Sequence, residues 1–411
     1  MVAVPPSVTH SLGPVSRLPL PATDCSTSSS GPHNNTPPST DIETGTMSRK
    51  GLLERLKEGV VVGDGGQIYA MERRGYVNAA HWTPEVVVEH PEAVRQLHRE
   101  FLRAGSDVLQ TLTYNGNQER LNRSLGNKYT VQEINDAACR IAREVADEGG
   151  ALVAGSIVKC PSYAEGKGKA AVQAQVRQQL QPLIKNKVDF VILEFIFYVE
   201  EMEWAIEEAL KTGLPLATTL AICDKGDMAG VPAGECAVRM AKAGARVVGV
   251  NCLFDPDTTV KTIKAMKDAL DAAGLSPYLM TQPNGFLCPG VGKQGYLSCP
   301  EFPFALESRL VTRFDVHRYA RAAYDLGVRY LGGCCGFESY HIRAIAEELA
   351  KERGKLPPAS EKHQPWGKSL ENSNYEYTRR RAGREYWENL VPGSGRLQPP
   401  SHGYDPKPEE D

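Results

Sequence analysis

Tyr330-Leu331-Gly332-Gly333-Cys334-Cys335-Gly336-Phe337 sets an apolar run against two adjacent cysteines held between glycines. The glycines free the backbone to turn both thiols towards a common point. A bond between the two sulfurs fits badly, because neighbouring side chains alternate in direction and their Cα atoms lie too close for disulfide geometry. The pair reads as two metal ligands. The best third candidate is Cys252, which ends another apolar run, Val247-Val248-Gly249-Val250-Asn251-Cys252. Three soft sulfur donors with a fourth position open describe a zinc site built for chemistry rather than scaffolding. The competing reading makes each cysteine a small core residue, which suits a free cysteine taken singly. Their joint placement at two strand ends weighs against it.

Working outward, apolar or β-branched runs recur at 60–63, 108–111, 151–154, 190–194, 216–220, 247–250, 278–282 and 330–332. Between and after them, segments 91–104, 131–147, 170–187, 199–211, 232–243, 259–273, 315–326 and 340–352 carry apolar residues at helical spacing. Several end at a glycine, as at Gly105, Gly244 and Gly354. Eight alternating pairs predict a (β/α)8 TIM barrel, with an open doubly wound sheet as the structural alternative. Strand-end residues favour the barrel, whose active site lies at the C-terminal ends of its strands. They are Asp64, Tyr114 with Asn115, Glu194, Cys252 and the Cys334-Cys335 pair.

The chain has 411 residues, 41% of them hydrophobic, enough for a full core. Its apolar runs fall far short of the ~20 residues a membrane helix requires. A formal charge of -3 gives no reason to expect nucleic acid or an anionic membrane as partner, and points to a small molecule. Ten irregularly spaced cysteines suit a reducing compartment, and the cytosol is the expected location. Residues 1–48 are rich in Ser, Thr and Pro and are expected to be a disordered extension. The barrel is expected over 49–356, an oligomerisation arm over 357–392 and a disordered tail over 393–411. The arm's Arg384-Glu385-Tyr386-Trp387-Glu388-Asn389-Leu390 is aromatic enough to need a surface, a neighbouring subunit's or its own barrel's.

The chain resembles the zinc-dependent homocysteine S-methyltransferase family, in the branch that takes its methyl group from betaine. The likeness runs from about Gly51 to Leu390. It is carried by Gly63-Asp64-Gly65-Gly66, Trp82-Thr83-Pro84-Glu85, Gly249-Val250-Asn251-Cys252, Pro300-Glu301-Phe302-Pro303-Phe304, Gly332-Gly333-Cys334-Cys335-Gly336 and the arm motif. The resemblance implies Cys252, Cys334 and Cys335 as ligands of one zinc ion per subunit. It implies Asp64, Gly65 and Glu194 as homocysteine-binding positions, and a dimer of dimers. An amino acid needs an acceptor for its ammonium and N–H donors for its carboxylate, which Glu194 and the turn after Asp64 can supply. Glu194 is also the one acid of an apolar strand.

A betaine donor carries a quaternary ammonium, which aromatic faces bind without hydrogen bonds. Trp82, Tyr114, Phe195 and Tyr198 are the candidates, with Phe197 expected in the core. The chain departs from the betaine-using pattern at Asn115 and across Phe195 to Tyr198, so a sulfonium donor such as S-methylmethionine is the alternative. Transfer from folate or cobalamin would call for further domains. A zinc-binding paralogue without a working donor site is the non-enzymatic reading. His317 and His341 are expected on helix surfaces, away from the metal.

Overall fold

The computed structural model describes residues 49–79 and 81–388. The expected extension 1–48, the expected tail 393–411 and the arm beyond Glu388 lie outside the described residues.

Eight strands form one sheet: β1 (Val61–Val62), β2 (Val108–Gln110), β3 (Leu152–Val158), β4 (Phe190–Ile196), β5 (Leu216–Leu220), β6 (Val247–Asn251), β7 (Tyr278–Gln282) and β8 (Val328–Leu331). Every ladder is parallel, running from β2 in order to β8 and from β8 to β1. A main helix follows each strand, completing the (β/α)8 barrel. These helices carry their own stop and start signals. Pro91 opens Pro91–Ala104, and Gly105 closes it with φ 107°, a backbone conformation open to glycine. Thr130 and Thr312 cap Val131–Gly149 and Arg313–Asp325 through reciprocal bonds with Glu133 and Asp315.

Strand alternation divides the core in two. Val62, Leu109, Val153, Leu193, Val248 and Leu331 face the helices. Val61, Val108, Leu152, Phe190, Val247, Met280 and Tyr330 fill the barrel's lower interior, where Leu52 and Leu56 of the helix Leu52–Glu58 close the floor. Each such large apolar side chain contributes about 1.5–3 kcal/mol by leaving water. Farther up, the same inward positions turn polar, at Gln110, Ser156, Glu194, Asn251 and Gln282.

No ladder joins β1 to β2 among the described residues, and one backbone bond together with side chains sews that seam. Asp107 N–H donates to the Val62 carbonyl (2.7 Å), while Val62 N–H donates to the Asp107 carboxylate (3.0 Å). Arg353 and Lys355 pair with the same carboxylate at 3.1 and 2.9 Å. At the upper end Gln110 N–H donates to the Asp64 carboxylate (2.8 Å).

The sequence periodicity misses some boundaries. β3 and β4 run on to Val158 and Ile196, beyond the expected 154 and 194, and the expected helix 340–352 breaks at Leu349. His341 is fully buried rather than on a helix surface. One of its ring nitrogens meets the Glu338 N–H and the other the Val311 carbonyl, so it ties the start of the helix Ser339–Glu348 to the loop before Arg313–Asp325. The described part of the arm lies on its own barrel, with Trp387 stacked on Phe314 (5.2 Å, 10°) and Arg384 paired to Glu348 (2.7 Å).

Burial draws the Asp107 carboxyl upward, but Arg353, Lys355 and the Val62 N–H outweigh it and hold the group below its ordinary range. A depressed acid stabilises the fold fully above its unfolded pKa and loses that contribution as pH falls through the folded one. Asp107→Asn is therefore expected to cost about 3 kcal/mol at pH 7. In urea denaturation the gap between variant and wild type should close as pH falls below the usual aspartate range.

Candidate metal and substrate site

The barrel mouth holds a cavity of about 340 Å³. Cys252, Cys334 and Cys335 stand on its wall, their sulfurs all within 4.8 Å of one another and Cys252 to Cys335 at 3.8 Å. Tetrahedral bonds of about 2.3 Å to one zinc ion place sulfurs about 3.8 Å apart. The three thiols are thus spaced to hold a metal ion.

Backbone bonds from four strand ends hold this spacing. Cys252 N–H donates to the Gln282 carbonyl (2.8 Å), Cys334 N–H to Pro283 (2.8 Å), Gly333 N–H to Asp64 (2.9 Å) and Gly285 N–H to Cys335 (2.7 Å). Cys252 itself sits at φ 55°, as do Trp82 (45°), Phe195 (53°) and Leu253 (47°) on the same wall. Such left-handed conformations in non-glycine residues cost about 1–3 kcal/mol each and persist where the surroundings over-determine them. Gly66 explains a different constraint, since a Cβ there would come within 2.4 Å of the Cys334 carbonyl oxygen. Hydrogen bonds from Cys252 and Cys334, with another from the Tyr296 hydroxyl, hold the Cys335 thiol well below its ordinary range. Without a cation among them, three adjacent thiols resist full ionisation.

The same cavity holds a buried acid. Glu194 Oε1 accepts from Ser156 Oγ (2.5 Å) and from Gln110 Nε2, and its Oε2 accepts from Asn251 Nδ2 (3.1 Å). Burial pushes its carboxyl up to about 7, against the pull of the Ser156 bond. Gln110 is the hub of the polar layer. Its amide oxygen accepts from Gln282 (3.2 Å), its carbonyl from Gln67 (2.7 Å), and its N–H reaches Asp64. Asn251 also accepts the Phe195 N–H (3.0 Å), fixing the end of β4. The Gln67 and Gln282 amide oxygens and the Trp82 indole N–H are buried without partners among the described residues.

Among the expected site residues, Gly65, Trp82, Tyr114, Glu194, Phe195 and the three cysteines all line the cavity. Asp64 is not part of that wall. Its carboxylate is taken up by Gln67 Nε2 (2.6 Å) and the Gln110 N–H, and burial pushes it up to about 7. Tyr198 also falls outside and packs against Tyr163 (5.1 Å), whereas Phe197, expected in the core, lines the cavity. The reason is local: Phe195 adopts a left-handed φ and the β4–β5 register shifts between Leu193 and Ile196, which breaks strand alternation at the end of β4. Asn115 turns away to donate to the His81 carbonyl (3.3 Å).

The sequence reading missed Gln67, Gln110, Ser156, Lys159, Asn251, Gln282 and Tyr296. For Gln110, Ser156, Asn251 and Gln282 a signal existed, namely a polar residue at the end of an apolar strand. Lys159 follows β3 and lies on two aromatic faces, its Nζ 4.0 Å from the Phe197 ring centroid and 5.1 Å from that of Phe195. Burial pushes its ammonium down to about 8.

The sequence profile described as homocysteine S-methyltransferase matches residues 61–349, and the chain belongs to that family. Within it, the chain is 56% identical to betaine–homocysteine S-methyltransferase 1 of Mus musculus, over 87% of this chain and 89% of the relative. The Xenopus tropicalis protein of the same name is 58% identical over the same shares. S-methylmethionine–homocysteine S-methyltransferase of Pongo abelii is 53% identical over 86% of this chain and 96% of its own. Among solved structures, the homocysteine methyltransferase MmuM from Escherichia coli in its metallated form superposes with a TM-score of 0.54. It is 21% identical, covers 70% of this chain and 96% of its own, and shares the fold.

Replacing the hub should be felt in stability as well as in the site. Gln110→Leu keeps the volume but leaves the buried Glu194 short of a donor, and is expected to cost about 1–3 kcal/mol. The shift in urea midpoint reads this directly.

Proposed function

We propose that this chain transfers a methyl group from betaine to the sulfur of homocysteine, giving dimethylglycine and methionine. The sequence identity of 55–58% over most of the chain to curated betaine-dependent relatives carries the choice of substrates. The clustered thiols support the chemistry, with Cys252, Cys334 and Cys335 as ligands of one zinc ion per subunit. A zinc ion bound by three thiolates supplies ionisation of a further thiol at neutral pH. A methyltransferase of this kind breaks the donor's C–N bond and forms a C–S bond, the electron pair staying on nitrogen and the thiol proton leaving to solvent.

Glu194 is the acceptor for the homocysteine ammonium. Its Oε2 has one protein donor, and the unpartnered Gln67 and Gln282 oxygens lie on the same wall. The turn at Gly65 offers backbone donors to the substrate carboxylate. Trp82, Tyr114 and Phe195 supply aromatic faces for the donor's quaternary ammonium. Direct transfer between oriented partners needs no covalent enzyme intermediate and no general base on the protein, so orientation and exclusion of water carry the rate. S-methylmethionine is the competing donor, favoured by Asn115 and Phe195 and by the 53% identity to a relative that bears its name.

A thiolate site of this kind works only with reduced cysteines, which supports a cytosolic setting. A barrel over 49–356 and an arm over 357–392 that joins subunits into a dimer of dimers complete the reading. Its support is the exposure of Trp366, Tyr375, Tyr377, Tyr386 and Trp387 along the arm. Among the described residues no helix is long and apolar enough to cross a membrane.

A methyl-transfer assay with homocysteine and competing betaine and S-methylmethionine tests the function. Methionine from betaine is the expected result, and methionine from the sulfonium alone would overturn it. Zinc content should be one ion per subunit and fall to near zero in Cys334→Ala, with methionine formation lost alongside. Glu194→Ala is expected to raise the KM for homocysteine about tenfold to a hundredfold, the worth of a charge-assisted hydrogen bond.

A further inference from the structure

The aromatic row of the cavity already holds a cation. Tyr114, Phe195 and Phe197 follow one another with ring centroids 5.6 and 5.0 Å apart, and the Lys159 ammonium lies over the last two. Among the described residues no carboxylate comes within ion-pair distance of it, although Lys159 lines the substrate cavity. Glu201 is the nearby acid whose charge it feels, and that carboxylate is engaged by the Cys160 N–H (2.6 Å). Arg120 adds a second positive charge to the neighbourhood. A half-buried ammonium with cation–π support and no paired anion is an anion-binding group within a cavity proposed to take zwitterions.

We infer that Lys159 anchors the carboxylate of the methyl donor and selects donors that carry one. This rests on the proposed betaine-dependent function and assigns the donor its orientation. Like charges keep the trimethylammonium off the faces of Phe197 and Phe195 that Lys159 covers. That group therefore lies against Trp82, Tyr114 and the face of Phe195 turned from Lys159, with the carboxylate turned towards Lys159. Lys159 touches substrate without taking part in bond making, so it is a specificity residue whose loss should appear in KM.

The test uses the full-length zinc-loaded protein and the variants Lys159→Met and Lys159→Arg, with betaine varied at saturating homocysteine. Lys159→Met is expected to raise the KM for betaine about tenfold with kcat within about twofold, and Lys159→Arg to restore most of the loss. Choline, which has the quaternary ammonium but no carboxylate, serves as a competing ligand. Its disadvantage against betaine should shrink about tenfold in Lys159→Met. An unchanged betaine KM, or an unchanged choline-to-betaine ratio, would overturn the inference. If the wild type makes no methionine from betaine, the functional reading has failed, and the anchor is then read by calorimetry with 3,3-dimethylbutyrate, an uncharged-head isostere that keeps the carboxylate. Binding by wild type and not by Lys159→Met upholds it; equal binding sinks it. Should Lys159→Met fold poorly, Lys159→Gln takes its place in both measurements.

Discussion

The barrel depends on closing a ring whose first and second strands share no ladder. Asp107 and Asp64 stand in for the missing backbone pairs at the lower and upper ends of the seam. The lower carboxylate is neutralised by Arg353 and Lys355, and these reach it from the chain beyond the last strand. The end of the barrel sequence thereby locks its beginning. Among the described residues the upper carboxylate has no cation, only hydrogen bonds, and it lies directly behind the site. Closure and site meet at that residue, whose carboxylate ties the seam while the turn that follows it, Gly65-Gly66, lines the cavity.

A buried polar layer follows from the same geometry. Inward positions low in the barrel carry apolar side chains, and at the strand ends they carry amides, a hydroxyl and a carboxylate. Polar groups taken from water need partners, and Gln110 links Asp64, Glu194, Gln67 and Gln282 into one network. The orphaned amide oxygens mark where the network stops within the protein. That incompleteness fits a site finished by a ligand's ammonium.

Charge is arranged by halves. On one side three thiols converge, and on another wall the Lys159 ammonium rests on phenylalanine faces. A methyl transfer between a thiolate and a quaternary ammonium brings opposite charges together and destroys both, so a dry, apolar enclosure favours the reaction. The left-handed backbone at Trp82, Phe195, Cys252 and Leu253 shows the wall held against local preference by the barrel around it.

Much of this was legible in the chain itself. Eight apolar or β-branched runs alternating with helical spacing, their polar and sulfur residues gathered at strand ends, point to a (β/α)8 barrel, because that is how those faces are buried together. Cysteines and an acid at strand ends determine the sulfur cluster and Glu194, since strand ends share one rim. Tertiary structure decided what depends on contacts between distant strands. It put Asp64 into the seam, brought Gln110, Ser156 and Asn251 around one carboxylate with Gln282 held to Gln110, and buried His341. It exchanged Phe197 for Tyr198 on the cavity wall, because a left-handed residue at Phe195 and a register shift break strand alternation. It also set Lys159 on the aromatic row. Side-chain type and spacing are local properties of a sequence, whereas these placements come from hydrogen bonds and charges that meet only when the ring is closed.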